Sequence, residues 1–304
     1  MCDPGGDGPT DTKHWNDFGV MNERVDLRAL FGTARPIVGM IHLEPLPGAP
    51  RWNGSMDVVL EAAIGDAQVL ESAGVHGIIV ENYGDVPFHR DAVPAETIAA
   101  MAVISAAVTQ VLSVPIGINV LRNDAGAALA IAAATGAAFV RVNVHTGAML
   151  ADQGWIEGRA HETLRLRRRL GLQCAILADI AVKHAVIPAG ASIAGLARDT
   201  WYRGLADGLI VSGPATGQAT AVADLLAVRQ AVPDAPVWIG SGLDASNLAD
   251  LLSRADGAIV GSSLSRDGMA GRGIDPDRAE RFLSAVRALG TEPRTESSPR
   301  MPAG

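Results

Sequence analysis

Polar side chains lie at the ends of short apolar runs in this 304-residue sequence. In the segment "FVRVNVH", valines alternate with Arg141, Asn143 and His145, so a strand there would present valines on one face and polar side chains on the other. Other runs end near further polar residues: His42, Glu81, Asn82, Asn119, Asp179 and Ser212. Converging carboxylates, amides and imidazoles are costly to bury unless they share a ligand, which predicts a binding or catalytic site. For any single one, a satisfied hydrogen bond in the core is an equally good explanation.

These residue types suit acid/base chemistry beside a carbonyl group. Asp179 or Glu81 would move a proton. Lys183 or His42 would stabilise the negative charge that develops on oxygen. The remaining strand-end residues would bind the substrate: Asn82, Asn119, Arg141, Asn143, His145 and Ser212.

Lysine is rare in this chain. Among 25 basic side chains only Lys13 and Lys183 are lysines, and Lys183 follows Asp179 closely in "ADIAVKHA". A titratable or nucleophilic amine is what arginine cannot supply, so Lys183 is a candidate catalytic residue. The alternatives are a residual lysine left by composition, or a buried ion pair with Asp179.

Two turns rich in glycine and serine follow the last two apolar runs. They contain the predicted phosphate-binding residues: Gly240, Ser241, Gly242, Gly261, Ser262 and Ser263. Glycine lets the backbone approach an anion, while N–H groups, hydroxyls and the start of a helix supply donors. The alternative is a tight turn before a helix that Asp244 or Ser246 caps.

Eight strand-and-helix units would position these residues. The apolar runs are Pro36 to Leu43, Gly77 to Asn82, Pro115 to Leu121, Phe139 to Val144, Cys174 to Ile180, Gly208 to Gly213, Val237 to Gly242 and Ala258 to Ser263. Helical segments such as Asp57 to Ala73, Pro94 to Leu112 and Gly217 to Val232 separate them. Eight such units predict a (β/α)8 TIM barrel with its chemistry where the strands end. A doubly wound open sheet is the alternative, although no G-x-G-x-x-G follows the first strand.

The chain is expected to form one domain. Residues 35–290 would make the barrel, residues 1–34 a partly disordered N-terminal extension, and residues 291–304 a disordered tail, because both ends are rich in Gly, Pro and polar residues. Its 48% hydrophobic residues are ample for a large core.

Composition also excludes some functions. The net charge of −8 without a long basic stripe argues against nucleic-acid binding. We interpret the short run Arg165, Arg167, Arg168 and Arg169 as the solvated end of a helix. The uncharged stretch from Thr97 to Leu121 contains Gln110 and Pro115, so no integral membrane segment is predicted.

Cysteines and metal motifs give little further direction. Cys2 and Cys174 make no plausible disulfide staple, which favours a cytoplasmic location. The sequence requires no cofactor, and no metal motif is present, although His42, Glu81 and Asp179 could meet as an oxygen and nitrogen metal site. The sequence leaves a homo-oligomer open.

Longer motifs carry a family resemblance. The segments "VGMIHLEPLPGAPR", "IIVENYGDVPF", "GINVLRNDA", "FVRVNVHTGAMLADQGWIEG", "ILADIAVKHA", "GLIVSGPATG" and "GSGLDASN" resemble the BtpA/SgcQ family from about Ile37 to Leu289. The resemblance implies a TIM barrel related to the ribulose-phosphate-binding barrels. It also implies two kinds of role, because the family name comes from a cyanobacterial protein needed for photosystem I accumulation, whereas other members resemble carbohydrate-metabolism proteins.

Two hypotheses follow for the function. The first is an enzyme of the isomerase, epimerase, lyase or aldolase type that acts on a small phosphorylated metabolite such as a sugar phosphate. The second is a non-catalytic biogenesis or assembly factor for a membrane protein complex. A polar cluster at the strand ends is unnecessary for a scaffold, which favours the enzyme.

Overall fold

Eight parallel strands close into a barrel in the computed structural model, which describes residues 24–182, 184–213 and 219–290. Numbered along the chain, the barrel strands are β1 (Ile37–His42), β2 (Gly77–Glu81), β3 (Ile116–Asn119), β4 (Phe139–Val142), β7 (Ala175–Ala181), β9 (Gly208–Val211), β10 (Val237–Ile239) and β11 (Gly257–Val260). All eight overlap the predicted runs, and β1 pairs with β11 to complete the ring. The predicted TIM barrel is confirmed, and the open sheet is excluded.

Most of the helices lie between consecutive barrel strands. The helices are α1 (Leu27–Phe31), α2 (Met56–Ala73), α3 (Ala95–Val111), α4 (Ala125–Thr135), α5 (Ala160–Arg169), α6 (Ile193–Arg198), α7 (Val222–Ala231), α8 (Leu248–Ser253) and α9 (Pro276–Ala288). Helix α1 precedes β1, and α9 follows β11. The helix predicted from Gly217 begins at Val222, and residues 214–218 lie outside the described residues. None of the helices in the described ranges combines the length and the apolar character that crossing a membrane requires.

The barrel interior forms its own core below the strand ends. Phe139 and Trp238 are its largest fully buried side chains. Helix α1 closes the opposite end from the site, because the ring of Phe31 lies 5.2 Å from each of those two rings, centroid to centroid. Residues 24–34, which the sequence assigned to an extension, therefore contribute Leu27 and Phe31 to this core. The predicted tails at residues 1–23 and 291–304 lie outside the described residues.

The basic end of α5 differs from its prediction at one position. Arg167 is buried rather than solvated, and its guanidinium donates to Asp207 at 2.6 Å. Asp207 also accepts from the backbone N–H of Ile176 at 2.7 Å, so this ion pair joins α5 to the start of a barrel strand. The other three arginines of the run are exposed, as predicted.

A small antiparallel sheet lies in the loops that follow β4 and β7. Its strands are β5 (Ala148–Ala151), β6 (Gly154–Glu157) and β8 (Ala185–Val186), with β5 in the centre. Met149 and Ile156 are buried on one face. On the other face Leu150 pairs with both Trp155 and Val186, and all three side chains are exposed. The alternation in these short segments was not recognised in the sequence.

Candidate functional site

A cavity of about 350 Å³ opens where the barrel strands end. Ten of the predicted site residues line it: His42, Glu81, Arg141, Asn143, Gly240, Ser241, Gly242, Gly261, Ser262 and Ser263. Five predicted residues lie close to strand ends without lining it: Asn82, Asn119, His145, Asp179 and Ser212. Lys183 lies outside the described residues, so its role stays a prediction.

His42 and Glu81 form one wall of the cavity. They are neighbours in register on β1 and β2, with Nε2 of His42 3.7 Å from Oε1 of Glu81. The ring of Tyr83 packs against His42, centroid to centroid at 4.6 Å. Each of the two side chains in the pair is less than a tenth exposed. A carboxylate and an imidazole at this separation can serve one substrate as base and acid, because both face the same space.

Asp179 lies behind Arg141 and Asn143, which line another part of the cavity, and binds both side chains. Its Oδ2 accepts from Arg141 Nε at 3.0 Å and from Asn143 Nδ2 at 3.1 Å. Its Oδ1 accepts from Arg141 Nη2 and from Ser212 Oγ, each at 3.1 Å. The Asp179 side chain is 0% exposed, and these bonds occupy all four acceptor positions of a carboxylate. The geometry therefore favours a positioning role for Asp179.

The ion pair also fixes the charge of Arg141. Burial lowers the pKa of this guanidinium, but the charge and hydrogen bonds of Asp179 outweigh burial, so the pKa lies above its ordinary value. Asn119 extends the network, because its amide donates to Asn143 Oδ1 at 3.0 Å and to the carbonyl of Arg141 at 3.1 Å. Asn119 thus orients Asn143 from below instead of touching a ligand in the cavity.

Asn82 and His145 hold loops. The amide of Asn82 donates to Asp85 Oδ2 at 3.1 Å, and its oxygen accepts from the N–H of Leu121 at 2.7 Å. His145 bonds the carbonyl of Gly204 through Nε2 at 2.8 Å, and burial lowers the pKa of its imidazole, which favours the neutral ring with Nε2 as donor. Strand alternation does not extend to His145, because β4 ends three residues earlier, at Val142.

The two glycine turns form the wall contributed by β10 and β11. Gly242 has φ 69°, the left-handed region that favours glycine. A Cβ at Gly261 would lie 2.9 Å from His42 Cε1, so the bare backbone of this turn faces the His42 ring. The hydroxyl of Ser241 accepts from the N–H of Gly213 at 2.9 Å, and that of Ser263 donates to the carbonyl of Leu243 at 2.6 Å. Both serines thus stabilise the turns that present the backbone to the cavity.

The turn alternative is also present after β10. Asp244 Oδ1 accepts from the N–H and the hydroxyl of Ser246, at 2.7 and 2.6 Å. However, Asn247 is the residue at the start of α8, so neither Asp244 nor Ser246 caps that helix. The tight turn and the open cavity wall coexist, because the turn lies outside the residues that line the cavity.

Sequence reasoning missed two arginines in the cavity wall, Arg51 and Arg122. Arg122 is only 7% exposed. Burial lowers the pKa of its guanidinium, although the negative charges of Asp179, Asp152 and Glu81 act to raise it. A signal was available, because Arg122 follows β3 by three residues in "GINVLRNDA". A long side chain on such a loop can reach the cavity without obeying strand alternation.

The metal site left open by the sequence is not formed. Among the described residues, no group of three or more His, Cys, Asp or Glu side chains is arranged to hold a metal ion. His42 and Glu81 are adjacent, but the Asp179 carboxylate is turned to Arg141 and Asn143.

Comparison with known protein sequences shows the family of this chain. A sequence profile described as the BtpA family matches residues 33–288. The chain belongs to the BtpA family. It is 46% identical to the photosystem I biogenesis protein BtpA of Synechocystis sp. over 281 residues, which cover 92% of this chain and 98% of that protein. An uncharacterized protein of Thermococcus kodakarensis is 46% identical over 84% of this chain and 96% of its own. A mitochondrial uncharacterized protein of Caenorhabditis elegans is 35% identical, over 88% of this chain and 99% of its own.

Solved structures similar to this BtpA-family barrel are more distant. Phosphoribosyl anthranilate isomerase from Thermus thermophilus superposes with a TM-score of 0.53 at 11% identity, covering 84% of this chain and 99% of the isomerase. Tryptophan synthase from M. tuberculosis gives a TM-score of 0.53 at 18% identity, covering 88% of this chain and 96% of the synthase chain. At such identities the likeness shows the TIM-barrel fold alone.

Proposed function

We propose that this BtpA-family barrel is an enzyme that binds a small phosphorylated metabolite, such as a sugar phosphate, and performs acid/base chemistry beside its carbonyl group. The observation that carries the proposal is the meeting of the His42–Glu81 pair with both glycine turns in one cavity. Burying a carboxylate and an imidazole together is costly, and a pure scaffold gains nothing from it.

The phosphate group would bind against the turns at Gly240–Gly242 and Gly261–Ser263. Loops after the last two strands of a TIM barrel are a frequent phosphate site, because backbone N–H groups there can point at the anion. A phosphate bound at Gly261 would lie beside the wall formed by His42 and Glu81, because a Cβ at Gly261 would lie 2.9 Å from Cε1 of His42. The rest of the substrate would then extend across Glu81.

The chemistry assigned to the cavity is proton transfer at the carbon next to a carbonyl. Glu81 removes the proton, the C–H electron pair forms a double bond to the carbonyl carbon, and the π electron pair of the carbonyl group moves to its oxygen. Arg141, held by Asp179, and His42 stabilise that oxyanion. Return of the proton to the former carbonyl carbon gives an isomer, provided that the first carbon bears a hydroxyl group whose proton passes to the oxyanion. Return of the proton to the opposite face of the first carbon gives an epimer. Lys183 stays a predicted second electrostatic or nucleophilic group.

A ligand-stabilisation screen tests the proposal. Phosphorylated sugars and sugar acids should raise the melting temperature, whereas the same compounds without phosphate should not. A ligand at about 100 times its Kd adds about 2.7 kcal/mol to the free energy of unfolding, which is measurable as a shift of several degrees. With a substrate found, Glu81→Gln should retain the shift and lose turnover, and Lys183→Met should lose turnover if the amine participates. A panel in which no phosphate ester stabilises the protein would refute the proposal.

One observation favours a second candidate, a non-catalytic assembly factor. The Synechocystis relative is named for photosystem I biogenesis, and the exposed apolar row of Leu150, Trp155 and Val186 offers a surface to an apolar partner. Relatives also occur in an archaeon and a nematode, which carry out no photosynthesis. A role shared by all of these relatives is therefore better explained by an enzyme than by photosystem assembly. Complementation of a Synechocystis strain lacking its BtpA separates the two. Rescue of photosystem I by Glu81→Gln but not by Trp155→Ser would support the assembly role, and the reverse would support the enzyme.

A further inference from the structure

Three apolar side chains line the cavity on the side that faces the glycine turn after β10. Around the closed barrel, β3 lies four strands from β10 in either direction, so the loops after these two strands face each other across the mouth. Leu121 lies on the loop after β3, and Val86 and Phe88 lie on the neighbouring loop after β2. We call these three side chains the apolar wall. A ligand that extends from the turn after β10 across the mouth meets this wall.

Hydrogen bonds join the two loops that carry the apolar wall. Oδ1 of Asn82 accepts from the N–H of Leu121 at 2.7 Å, and the carbonyl of His89 accepts from the N–H of Arg122 at 3.0 Å. Phe88 and Leu121 also line together a second cavity of about 30 Å³. The two loops therefore present the apolar wall as one surface.

The chain itself covers the apolar wall only in part. Val86 is 42% exposed, and Phe88 is half-buried and borders a cavity on each side. Leu121, at 5% exposed, is the deeper part of the wall. An apolar ligand group that covers this surface is stabilised in proportion to the apolar area removed from water. A hydroxyl group at the same place would lose its hydrogen bonds to water without gaining a partner from these side chains.

The charges near the apolar wall do not call for a ligand anion. Arg122 is 7% exposed, and the negative charges of Asp179, Asp152 and Glu81 oppose its own. Arg51 is exposed and lies on the loop after β1, outside the apolar wall. The anionic end of the substrate therefore belongs at the glycine turns, which leaves its opposite end for the apolar wall.

We infer that the substrate carries an apolar ring at the end opposite the phosphate, and that Val86 and Phe88 bind this ring. The inference rests on the proposed function and narrows its substrate class to sugar phosphates with an apolar ring substituent. The cavity of about 350 Å³ lies at the small end of the range for metabolite sites, which fits one sugar phosphate with one ring.

Two ligands that differ only at the far end test the inference. Phenyl β-D-ribofuranoside 5-phosphate carries the ring, whereas methyl β-D-ribofuranoside 5-phosphate carries a methyl group on the same sugar phosphate. Titration calorimetry on the full chain should show the phenyl compound binding at least about tenfold more tightly, the ratio expected for burial of a ring-sized apolar group. Phenyl β-D-ribofuranoside without phosphate is the third ligand and should bind at least about tenfold more weakly than its 5-phosphate.

Variants assign the preference to the apolar wall. Val86→Ser and Phe88→Ser should each reduce the preference for the phenyl compound at least about threefold, while the affinity for the methyl compound changes less than about twofold. Val103→Ser on α3 and Leu226→Ser on α7 are matched controls that should keep the full preference, because these side chains are exposed and do not line the cavity. Circular dichroism checks that each variant is folded. Val86 lies at the surface, so Val86→Ser keeps the test decisive even if Phe88→Ser does not fold.

The outcomes separate the inference from the proposed function. Equal affinities of the phenyl and methyl compounds would overturn the inference and leave the proposed function standing. A preference that survives in both folded wall variants would overturn the assignment to Val86 and Phe88. Equal binding of the phenyl riboside with and without its phosphate would support the apolar wall and count against the proposed phosphate site. Failure of all three ligands to bind would overturn the inference together with that phosphate site.

Discussion

At Asp179 one carboxylate accepts four hydrogen bonds, and this sets what the residue can do. A general base needs a lone pair directed at the substrate, but every acceptor position is already used within the protein. Glu81 is the carboxylate that faces the cavity instead. Of the two carboxylates that sequence offered as proton carriers, the geometry thus favours Glu81 for chemistry and Asp179 for holding Arg141.

Removing the charge of Asp179 is expected to destabilise the fold. From the sequence alone we expect Asp179→Asn to stop turnover with little change in stability, unless the residue belongs to a buried ion pair. Because such a pair is present, we predict a loss of about 3 to 5 kcal/mol in the free energy of unfolding, the usual cost of leaving a buried partner charge uncompensated.

Urea unfolding measures this loss against a surface control. Asp250 pairs with Arg254 at 2.7 Å, with both side chains more than a third exposed, so Asp250→Asn should cost no more than about 1 kcal/mol. Equal small losses in both variants would contradict the structural role of Asp179.

At the level of elements, the two glycine turns decide how a phosphate test must be designed. Gly242→Val is an obvious variant from the sequence, but φ at this position is 69°, which a β-branched side chain does not tolerate. Gly261→Val would displace His42, because even a Cβ there lies 2.9 Å from the ring. Both changes would therefore disturb the fold or the wall formed by His42 and Glu81 together with the proposed phosphate site.

Ser262→Asp is the cleaner test of that site. Ser262 lines the cavity, is half-buried, and begins a short 3-10 turn, where an acidic side chain is compatible with the backbone. We predict that Ser262→Asp weakens binding of any phosphate ester at least about tenfold by charge repulsion. Ser262→Asn introduces an uncharged side chain of the same shape as Asp and should change the affinity less than about threefold. Equal affinities of the two variants in calorimetry would place the phosphate elsewhere.

Helix α1 makes a separate contribution at the other end of the barrel. Phe31 is 6% exposed and packs its ring on Phe139 and Trp238. We predict that Phe31→Ala lowers the free energy of unfolding by about 3 to 5 kcal/mol through lost burial and a cavity. Ala29→Ser, on the exposed side of the same helix, should change it by less than about 0.5 kcal/mol in the same urea experiment. A small effect of Phe31→Ala would mean that the helix does not close the barrel.

For the whole molecule, stability should depend on pH through two histidines, the half-buried His76 and the buried His145. His76 accepts the backbone N–H of Ile37 through Nδ1 at 3.1 Å, and burial lowers its pKa. Burial also lowers the pKa of His145. The unfolded chain therefore binds protons first, at about pH 6.5, so the contribution of both residues is present above that pH and is lost as pH falls towards their folded values.

The pH prediction is tested by comparing the free energy of unfolding of the wild type with that of His145→Gln at each pH. His145→Gln keeps a donor for the carbonyl of Gly204 but cannot titrate. Between pH 7.5 and pH 5, wild type should lose stability relative to this variant, with the change beginning near pH 6.5, as measured by chemical unfolding at each pH. A constant difference across this range would show that His145 is not a buried neutral histidine.

Sequence by itself determined the barrel and much of its mouth. The eight apolar runs and their intervening helices have local periodicities that survive without tertiary information, which is why every barrel strand was located. The glycine turns after β10 and β11, and His42 and Glu81 at the ends of β1 and β2, follow from strand order, because parallel strands end on the same side. The family was evident from the same motifs.

Tertiary structure alone decided which polar residues face the cavity. Asp179, Asn119 and Ser212 satisfy the strand alternation, but their hydrogen bonds to other side chains keep them behind the cavity wall. Arg122 does the opposite, reaching the cavity from a loop where alternation has no meaning. Hydrogen-bond partners distant in sequence, such as Arg141 for Asp179 and Gly204 for His145, cannot be inferred from local spacing, because loop conformation and side-chain length settle them only once the barrel has closed.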